Sequence, residues 1–324
     1  MSDDSIPFFS VIIPVYNKEP HIERCLKSVL EQTFADFELI VINDPSTDRS
    51  AEMVSRFSDD RMRVYCREEP GPGGYAARNL GIRSAKAKHI AFLDADDEWL
   101  PDHLERMKTL VEMQPEAVLY SSGFQAISGQ TCTYNKYYLQ SKSKGIHLVN
   151  FKSFLEIFLE RNNRFCNTCV LVVKAEVIRK MGCFPEGRTK KGGDLYLFMR
   201  AMSQGAAAWS PHIGARIYHD AVNKVTQSQY FNPQLLRDMA LELQPEVGAD
   251  TFYLLKRYAN HLLLKDYLRY KGNKGKPNYN LLSYAFYTNP VDYGACVSAF
   301  IIPGFMLKLV NQVRKAINGR QRKN

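Results

Sequence analysis

The chain has 324 residues, of which 45% are hydrophobic and 24% charged, a composition typical of one large or two modest globular domains. Its net charge of +9 is uneven, because residues 1–100 hold 12 Lys and Arg against 18 Asp and Glu, whereas the remaining residues hold 31 against 16. The basic remainder suggests an anionic partner, either membrane headgroups or nucleic acid. The acidic first part argues against nucleic acid wrapping around it, so we expect no nucleic-acid partner.

Strands and helices alternate in the first part of the chain. The opening residues 1–5 are acidic and contain no apolar segment, so we expect no signal peptide. We then predict strands at 8–15, 37–42, 62–66 and 90–93, and helices at 21–32, 51–57, 75–87 and 101–113. This alternation predicts an α/β fold with a doubly wound, mainly parallel, Rossmann-like sheet.

The next hundred residues are less regular. A strand at 117–121 precedes residues 122–147, which are polar, rich in Tyr and Lys and without clear periodicity, so we expect a long irregular segment there. We then predict a helix at 148–160, a strand at 169–173, a helix at 174–181, a basic loop at 182–192, a helix at 194–203 and one or two short strands within 206–220. From about residue 231 helical patterns dominate.

The seven cysteines are scattered and odd in number, which argues against a disulfide framework and favours reduced thiols in the cytoplasm. We interpret Cys166 and Cys169 as small core residues. Near the end of the chain, residues 293–307 are uncharged and mostly apolar, but too short to span a membrane. Six basic residues and no acid follow them, so two alternatives stay open: a helix in the membrane interface, or a helix docked on the protein with a solvated basic tail.

An acidic cluster follows the fourth predicted strand. Asp94, Asp96, Asp97 and Glu98 come where that strand should end, and in an open α/β sheet this edge is the ligand crevice. Clustered carboxylates suit Mg²⁺ or Mn²⁺ shared with substrate phosphates. The alternative is a solvated turn whose acids begin the next helix, and Asp97 and Glu98 suit that role best.

Two earlier loops should reach the same edge of the sheet. In the first, Tyr16 could stack on a planar base. In the second, Asp44 could accept hydrogen bonds from a base or a ribose. The alternatives are a semi-buried aromatic at Tyr16 and a helix cap formed by Asp44 or Ser46.

A glycine-rich loop opens the third helix. Gly71, Gly73 and Ala76 match the spacing of a dinucleotide fingerprint, and Asp94 lies near the place of its ribose-binding acid. Pro72 removes an N–H group that such a loop would present. We therefore favour a permissive loop that lets Arg78 point toward an anionic ligand.

Four motifs occur in order within about 90 residues. They are Val11-Ile12-Ile13-Pro14-Val15-Tyr16-Asn17, then Val41-Ile42-Asn43-Asp44 with Ser46-Thr47-Asp48, then Gly74 with Ala77-Arg78-Asn79 and Gly81, then Phe92-Leu93-Asp94-Ala95-Asp96-Asp97. Together they resemble the family 2 glycosyltransferases of the GT-A fold over roughly residues 8–220. The resemblance implies a nucleotide-diphospho-sugar donor, usually UDP-linked, and a divalent metal, Mg²⁺ or Mn²⁺.

The resemblance also implies roles for particular residues. The nucleotide-sugar site would comprise Pro14, Val15, Tyr16, Asp44, Arg78, Asp94 and Ala95. Asp96, the second acid of the Asp-X-Asp motif, would bind the metal together with His219. Asp194, at the start of a helix with a downstream Leu and Arg, would be the catalytic base, with Glu186 as the alternative. The chain departs from the family at Gly193, where an acid is common, and at Pro45.

These residues predict a GT-A domain over residues 1–225, with a nucleotide-sugar half at 8–120 and an acceptor half at 121–225, and a helical C-terminal extension over 226–324. The expected activity is metal-dependent, inverting transfer of a sugar to a hydroxyl of a glycan or lipid-linked acceptor in cell-surface polysaccharide synthesis. The basic segments 122–147 and 182–192 are the acceptor-side candidates. We expect a cytoplasmic or peripheral membrane protein. Two alternatives stay open: an NAD(P)-dependent oxidoreductase built on the Gly71 loop, and a non-catalytic carbohydrate-binding relative.

Overall fold

The structure, a computed structural model, describes residues 6–69, 71, 74–161, 165–221, 232–273 and 280–301. The chain divides into two units, residues 1–228 and 229–324. The described strands all belong to the first unit: β1 Phe9–Val15, β2 Phe37–Asn43, β3 Met62–Cys66, β4 His89–Phe92, β5 Glu98–Trp99, β6 Leu119–Ser128, β7 Thr131–Tyr134, β8 His147–Val149, β9 Val172–Lys174 and β10 Ala207–Tyr218.

Helices separate most of these strands. Those of the first unit are α1 Ile22–Leu30, α2 Ser50–Ser55, α3 Tyr75–Ser84, α4 His103–Met113, α5 Lys136–Ser141, α6 Phe151–Arg161, α7 Ala175–Lys180 and α8 Gly193–Gln204. Helix α1 shows why such helices form: Ile22, Cys25, Leu26 and Val29 recur at helical spacing and are all fully buried.

Strand β1 lies at the centre of the parallel part of the sheet. It pairs in parallel with β2 on one side and with β4 on the other, and β2 continues in parallel to β3. Val11, Ile12 and Ile13 are fully buried on both sides of the strand, as expected where a parallel sheet is covered on both faces. The predicted doubly wound, mainly parallel sheet is confirmed in this half.

The sheet has ten strands, with the central order β3-β2-β1-β4-β9-β6-β10-β5. Strand β9 lies between β4 and β6 and is antiparallel to both, whereas β6 and β10 are parallel. Since Val15 pairs with Asn43 and Ile12 with Phe92, the carboxyl ends of β1, β2 and β4 lie at one edge of the sheet. The loops that carry the predicted site residues begin at this edge.

The prediction of a long irregular segment at 122–147 is wrong. Strand β6 continues to Ser128, turns at Gly129 with φ of 56° and returns as β7, and α5 and β8 follow. The seven residues of β6 beyond Ser121 are mixed in polarity, and all four residues of β7 are exposed, so the pattern lacks the alternation that marks a half-buried strand.

Other boundaries also differ from the sequence-based expectations. Residues 168–170 form a 3₁₀ turn before the short β9, because Asn167 accepts a hydrogen bond from the Cys169 N–H group. Helix α6 begins at Phe151, since Leu148 belongs to β8. Residues 207–218 form one long strand, not one or two short ones, with two irregularities in its register against β6.

The described part of the second unit is helical: α9 Pro233–Leu243, α10 Ala249–Asn273, α11 Leu281–Tyr284 and α12 Pro290–Ile301. Asn260 on α10 bonds both the N–H and the C=O group of Phe286, and Arg257 pairs with Asp292 of α12. None of the described helices is long and apolar enough to cross a membrane. Residues 302–324, with the end of the apolar run and the basic tail, lie outside the described residues.

Candidate active site

The first two loops at the sheet edge are tied to each other. Asn17, which has a φ of 50°, donates its backbone N–H to Ser46 Oγ at 3.0 Å and accepts from the Thr47 N–H at 2.8 Å through its side chain. Tyr16 is 43% exposed, so it is a surface ring and not the semi-buried aromatic of the alternative. Val15 beneath it is buried.

Asp44 is buried and contacted by its own protein. Its carboxylate accepts a hydrogen bond from Arg67 Nη1 at 2.7 Å and a longer one from the Gly71 N–H at 3.4 Å. The capping alternative for Asp44 is wrong, because Asp48 accepts from the N–H group of Ser50 at the start of α2. The Gly71 N–H group faces this carboxylate, which disfavours the dinucleotide fingerprint; Pro72 and Gly73 lie outside the described residues.

Arg78 and Asp94 form an ion pair at the centre of the site. Arg78 Nη2 donates to Asp94 Oδ1 at 2.5 Å, and the Arg78 side chain is 9% exposed. Although burial alone would raise the pKa of Asp94, the charge and hydrogen bond of Arg78 hold it below its ordinary value. Asp94 is therefore a carboxylate at neutral pH.

Asp96 faces cationic side chains. Lys18 Nζ lies 2.9 Å from Asp96 Oδ2, and Arg24 Nη2 donates to the Asp96 carbonyl oxygen at 2.7 Å. Between the two acids, Ala95 is buried. The expectation that Asp97 and Glu98 begin the next helix is wrong: Glu98 belongs to β5, and α4 begins at His103.

Asp97 instead belongs to a buried group that the sequence pattern did not indicate. One ligand atom from each of Asp94, Asp97 and Cys169 lies within 4.8 Å of the others. The Cys169 thiol donates to Asp97 Oδ2 at 2.9 Å, and the Tyr218 N–H donates to Asp97 Oδ1 at 2.8 Å. Burial, together with the charges of Asp96 and Asp94, raises the pKa of Asp97 to about 7.

Asp194 lies at the start of α8, where Gly192 has a φ of 89°. The Gly193 N–H donates to Tyr75 Oη at 2.9 Å, so the first turns of α3 and α8 meet. Asp194 also lies within electrostatic range of Arg78, whose pKa it helps to raise against the opposing effect of burial. The predicted base and Arg78 therefore lie on two helices whose first turns are in contact.

Glu186, the alternative base, is exposed and accepts a hydrogen bond from Asn79 Nδ2 at 3.1 Å. Asn79 also bonds the backbone N–H and C=O groups of Phe184. The Glu186 carboxylate therefore helps to attach the basic loop 182–192 to α3.

His219 follows the end of β10, one residue after Tyr218, whose N–H group contacts Asp97. Its side chain is exposed and its backbone N–H donates to the Ile127 carbonyl oxygen at 2.8 Å. Among the described residues, the close acidic group comprises Asp94, Asp97 and Cys169, without His219 or Asp96. Pro14, one residue before the end of β1, is partly buried at the same sheet edge.

The donor atoms of the acidic turn fit a hard divalent cation. Carboxylate oxygens suit Mg²⁺ or Mn²⁺. The ammonium group of Lys18 contacts the Asp96 carboxylate, which shows that a cation fits beside this side chain. Cys169 does not suit such an ion, because burial and the neighbouring carboxylates raise the pKa of its thiol well above the ordinary value. Because Arg78 already pairs with Asp94, Asp96 is the residue of this turn that best fits the metal.

Comparisons with known proteins show the family and the fold of the chain. Residues 10–181 match the family model described as "Glycosyl transferase family 2". Glycosyltransferase GlyA of Streptococcus pneumoniae is 38% identical over 115 residues, 35% of this chain and 16% of GlyA. WfgD of Escherichia coli, named as a UDP-Glc:alpha-D-GlcNAc-diphosphoundecaprenol beta-1,3-glucosyltransferase, is 36% identical over 113 residues, 35% of this chain and 44% of WfgD. The chain thus spans less than half the length of either relative.

Among solved structures, S. aureus TarS 1-349 in complex with UDP-GlcNAc superposes with a TM-score of 0.68. The match covers 90% of this chain and 89% of TarS 1-349 at 17% sequence identity, so it bears on the fold. The predicted GT-A fold with a helical C-terminal region is confirmed.

Proposed function

Since the chain belongs to glycosyl transferase family 2, we propose that it transfers a sugar from a nucleotide-diphospho-sugar to a hydroxyl group of a glycan or lipid-linked acceptor. The observation that carries this proposal is the ion pair of Arg78 and Asp94, together with Asp194 on the helix whose first turn meets that of α3. Family membership also disfavours the oxidoreductase alternative. Catalytic chemistry, not carbohydrate binding alone, is supported by a base candidate, Asp194, on the helix that contacts the start of α3.

The donor nucleotide would bind over the ends of β1 and β2. The exposed ring of Tyr16, next to Pro14 and Val15, offers a stacking surface for the base. Asp44 would accept from the nucleotide in exchange for the long hydrogen bond from the Gly71 N–H, while Arg67 keeps its contact. Ala95 is small enough to let the donor approach the acidic turn. The solved TarS structures hold UDP-GlcNAc and UDP, which makes a UDP-sugar the first donor to test.

The diphosphate would lie at the start of α3, on the donor side of Asp194. A helix N-terminus presents the positive end of the helix dipole, and α3 begins at Tyr75, one turn before Arg78. The Arg78 guanidinium adds a full positive charge there. This arrangement would stabilise the negative charge that develops on the leaving group.

We infer that Asp96 and His219 would hold a divalent cation, which, when bound, would neutralise charge on the diphosphate. Asp194 would accept the proton of the acceptor hydroxyl as general base. The deprotonated oxygen then attacks the anomeric carbon while the bond from that carbon to the diphosphate oxygen breaks. Attack from the face opposite the diphosphate inverts the configuration.

The acceptor would bind along the β6–β7 hairpin. Residues 117–155 contain four lysines and no acid. On this surface the rings of Tyr134 and Tyr138 stack at 5.3 Å, and Lys142 Nζ lies 5.6 Å from the Tyr138 ring. Aromatic faces suit sugar rings and lysines suit anionic groups, so an acidic glycan fits best.

The variant Tyr134→Ala tests this acceptor site. It should bind a uronic-acid oligosaccharide more weakly than the wild type does, and unchanged binding would contradict the proposed site.

A panel of UDP-sugars tests the central proposal. The full chain should release UDP from one of them in the presence of Mg²⁺ or Mn²⁺, and a chelator should abolish the release. Asp60→Asn, which changes an exposed acid away from the site, should behave as the wild type. Release from no UDP-sugar and no other nucleotide-sugar, with any metal, would contradict the proposed function. NADH binding with a fluorescence change would support the oxidoreductase alternative.

A further inference from the structure

Tyr75 contacts the start of the helix that carries Asp194. It is the first residue of α3, its side chain is buried, and its Oη accepts the Gly193 N–H at 2.9 Å across 118 residues of sequence. Gly193 directly precedes Asp194. The phenol oxygen is therefore one residue away from the proposed base.

The ring of Tyr75 and the missing side chain of Gly193 are sterically complementary. A Cβ atom added to Gly193 would lie 2.5 Å from the nearest ring carbon of Tyr75, closer than real Cβ contacts allow. The ring is also held from another side, since it stacks on Phe184 with centroids 5.7 Å apart and planes 12° apart. Only glycine fits at position 193 while Tyr75 keeps this position.

This hydrogen bond gives a partner to the Gly193 N–H group, which has none within its own helix. The first N–H groups of a helix have no partner within it, and a Ser, Thr, Asp or Asn at the N-cap usually provides one. Here the N-cap is Gly192, which has no side chain to do so. The Tyr75 phenol, on a different helix, accepts a hydrogen bond from the first of these N–H groups, that of Gly193. Burial and the Asp194 charge raise the pKa of Tyr75, so the phenol stays neutral near pH 7.

We propose that Tyr75 is a positioning residue, which holds the first turn of α8 through the Gly193 amide and thereby fixes the Asp194 carboxylate against the donor. This inference rests on the proposed function of Asp194 as the base. Arg78 lies one turn further along α3. The same helix thus positions the cation on the donor side and, through Tyr75, the base on the acceptor side.

The variant Tyr75→Phe tests the inference, because it removes the acceptor oxygen and keeps the ring. In the full chain, kcat for UDP release from UDP-GlcNAc, or from whichever UDP-sugar the wild type turns over fastest, should fall about tenfold, as for the loss of one hydrogen bond. KM for that UDP-sugar and the affinity for UDP should stay within about twofold. Hydrogen exchange at the Gly193 amide should become faster in the variant.

A second pair of variants tests the steric fit. Gly193→Ala should lower the melting temperature, because the new Cβ atom meets the ring. In the Tyr75→Ser background, Gly193→Ala should lower the melting temperature by less, since the ring that the new Cβ atom would meet is absent. An equal fall in melting temperature in both backgrounds would contradict the described contact. This test does not depend on whether Tyr75→Phe folds well.

The outcomes separate the inference from the proposed function. A wild type that releases UDP, together with a Tyr75→Phe variant of unchanged kcat and unchanged exchange at Gly193, would overturn the inference alone. A wild type that turns over no nucleotide-sugar would overturn the proposed function and the inference with it. A Tyr75→Phe variant that loses UDP affinity and kcat equally would indicate a general structural role and would also overturn the inference.

Discussion

The ion pair between Arg78 and Asp94 should contribute to stability. Arg78→Met would leave Asp94 without its cationic partner and should lower the free energy of unfolding by about 2 kcal/mol, less than for a fully buried pair because the Asp94 side chain is 34% exposed. The double variant Arg78→Met/Asp94→Asn should recover part of this loss in urea unfolding. If the double variant loses as much unfolding free energy as the two single variants together, the two side chains do not interact.

Asp96 is the residue on which metal-dependent binding should depend. We expect Asp96→Ala to lose the increase in UDP affinity that Mg²⁺ or Mn²⁺ gives to the wild type, because the variant lacks the carboxylate proposed to hold the ion. Calorimetry with and without a chelator measures this difference. If the variant and the wild type gain equally from the metal, Asp96 is not a ligand.

At the residue scale, the positions of Tyr16, Asp44 and Asp94 at the sheet edge could be predicted, since each follows a strand whose end could be located. Tyr75 and Cys169 were missed as members of the site. Tyr75 contacts Gly193 across 118 residues of sequence, and Cys169 reaches Asp97 across 72. Neither contact has a spacing that a local pattern could reveal.

Two histidines that meet between α4 and β10 lead to a prediction about pH at the element scale. His212 Nε2 lies 3.4 Å from Nδ1 of the fully buried His103, and burial lowers the pKa of His212 to about 4. Between pH 6.5 and 4 the unfolded chain therefore binds a proton that the folded chain does not. Stability should fall as the pH falls through this window.

The variant His212→Gln should flatten this dependence, since glutamine does not titrate. Unfolding free energies measured from pH 7 to pH 4 would show the effect. An equally steep loss of stability in the variant would assign the dependence to other groups, with His103 as the first candidate because burial also lowers its pKa.

At the element scale, the strands that could be predicted from the sequence are the buried ones. Strands β1, β2 and β4 are buried on both faces and appear in the sequence as continuous apolar runs. Strand β7 is exposed along its length, so its residues carry no apolar signal. The antiparallel insertion of β9 between β4 and β6 depends on pairings across the chain, which the local pattern of residues 172–174 cannot specify.

The distribution of charge leads to a prediction at the scale of the whole molecule. Beyond the described residues, positions 308–324 contain six basic residues and no acid, after an apolar run. We expect the full chain to bind vesicles that contain an anionic phospholipid, with an affinity that falls as salt rises. Replacement of Arg320, Arg322 and Lys323 by Gln should weaken binding at least tenfold. If the full chain does not co-sediment with these vesicles at low salt, the alternative of a helix docked on the protein would be favoured.

The central claim is that Asp194 performs the chemistry while Arg78, Asp94 and Asp96 bind the donor. The most direct test measures UDP binding and UDP-sugar turnover in Asp194→Asn. The account predicts that UDP affinity stays within about twofold of the wild type and that kcat falls by at least about 10²-fold, because the amide cannot accept the proton of the acceptor hydroxyl. Unchanged turnover in a folded Asp194→Asn variant would contradict it.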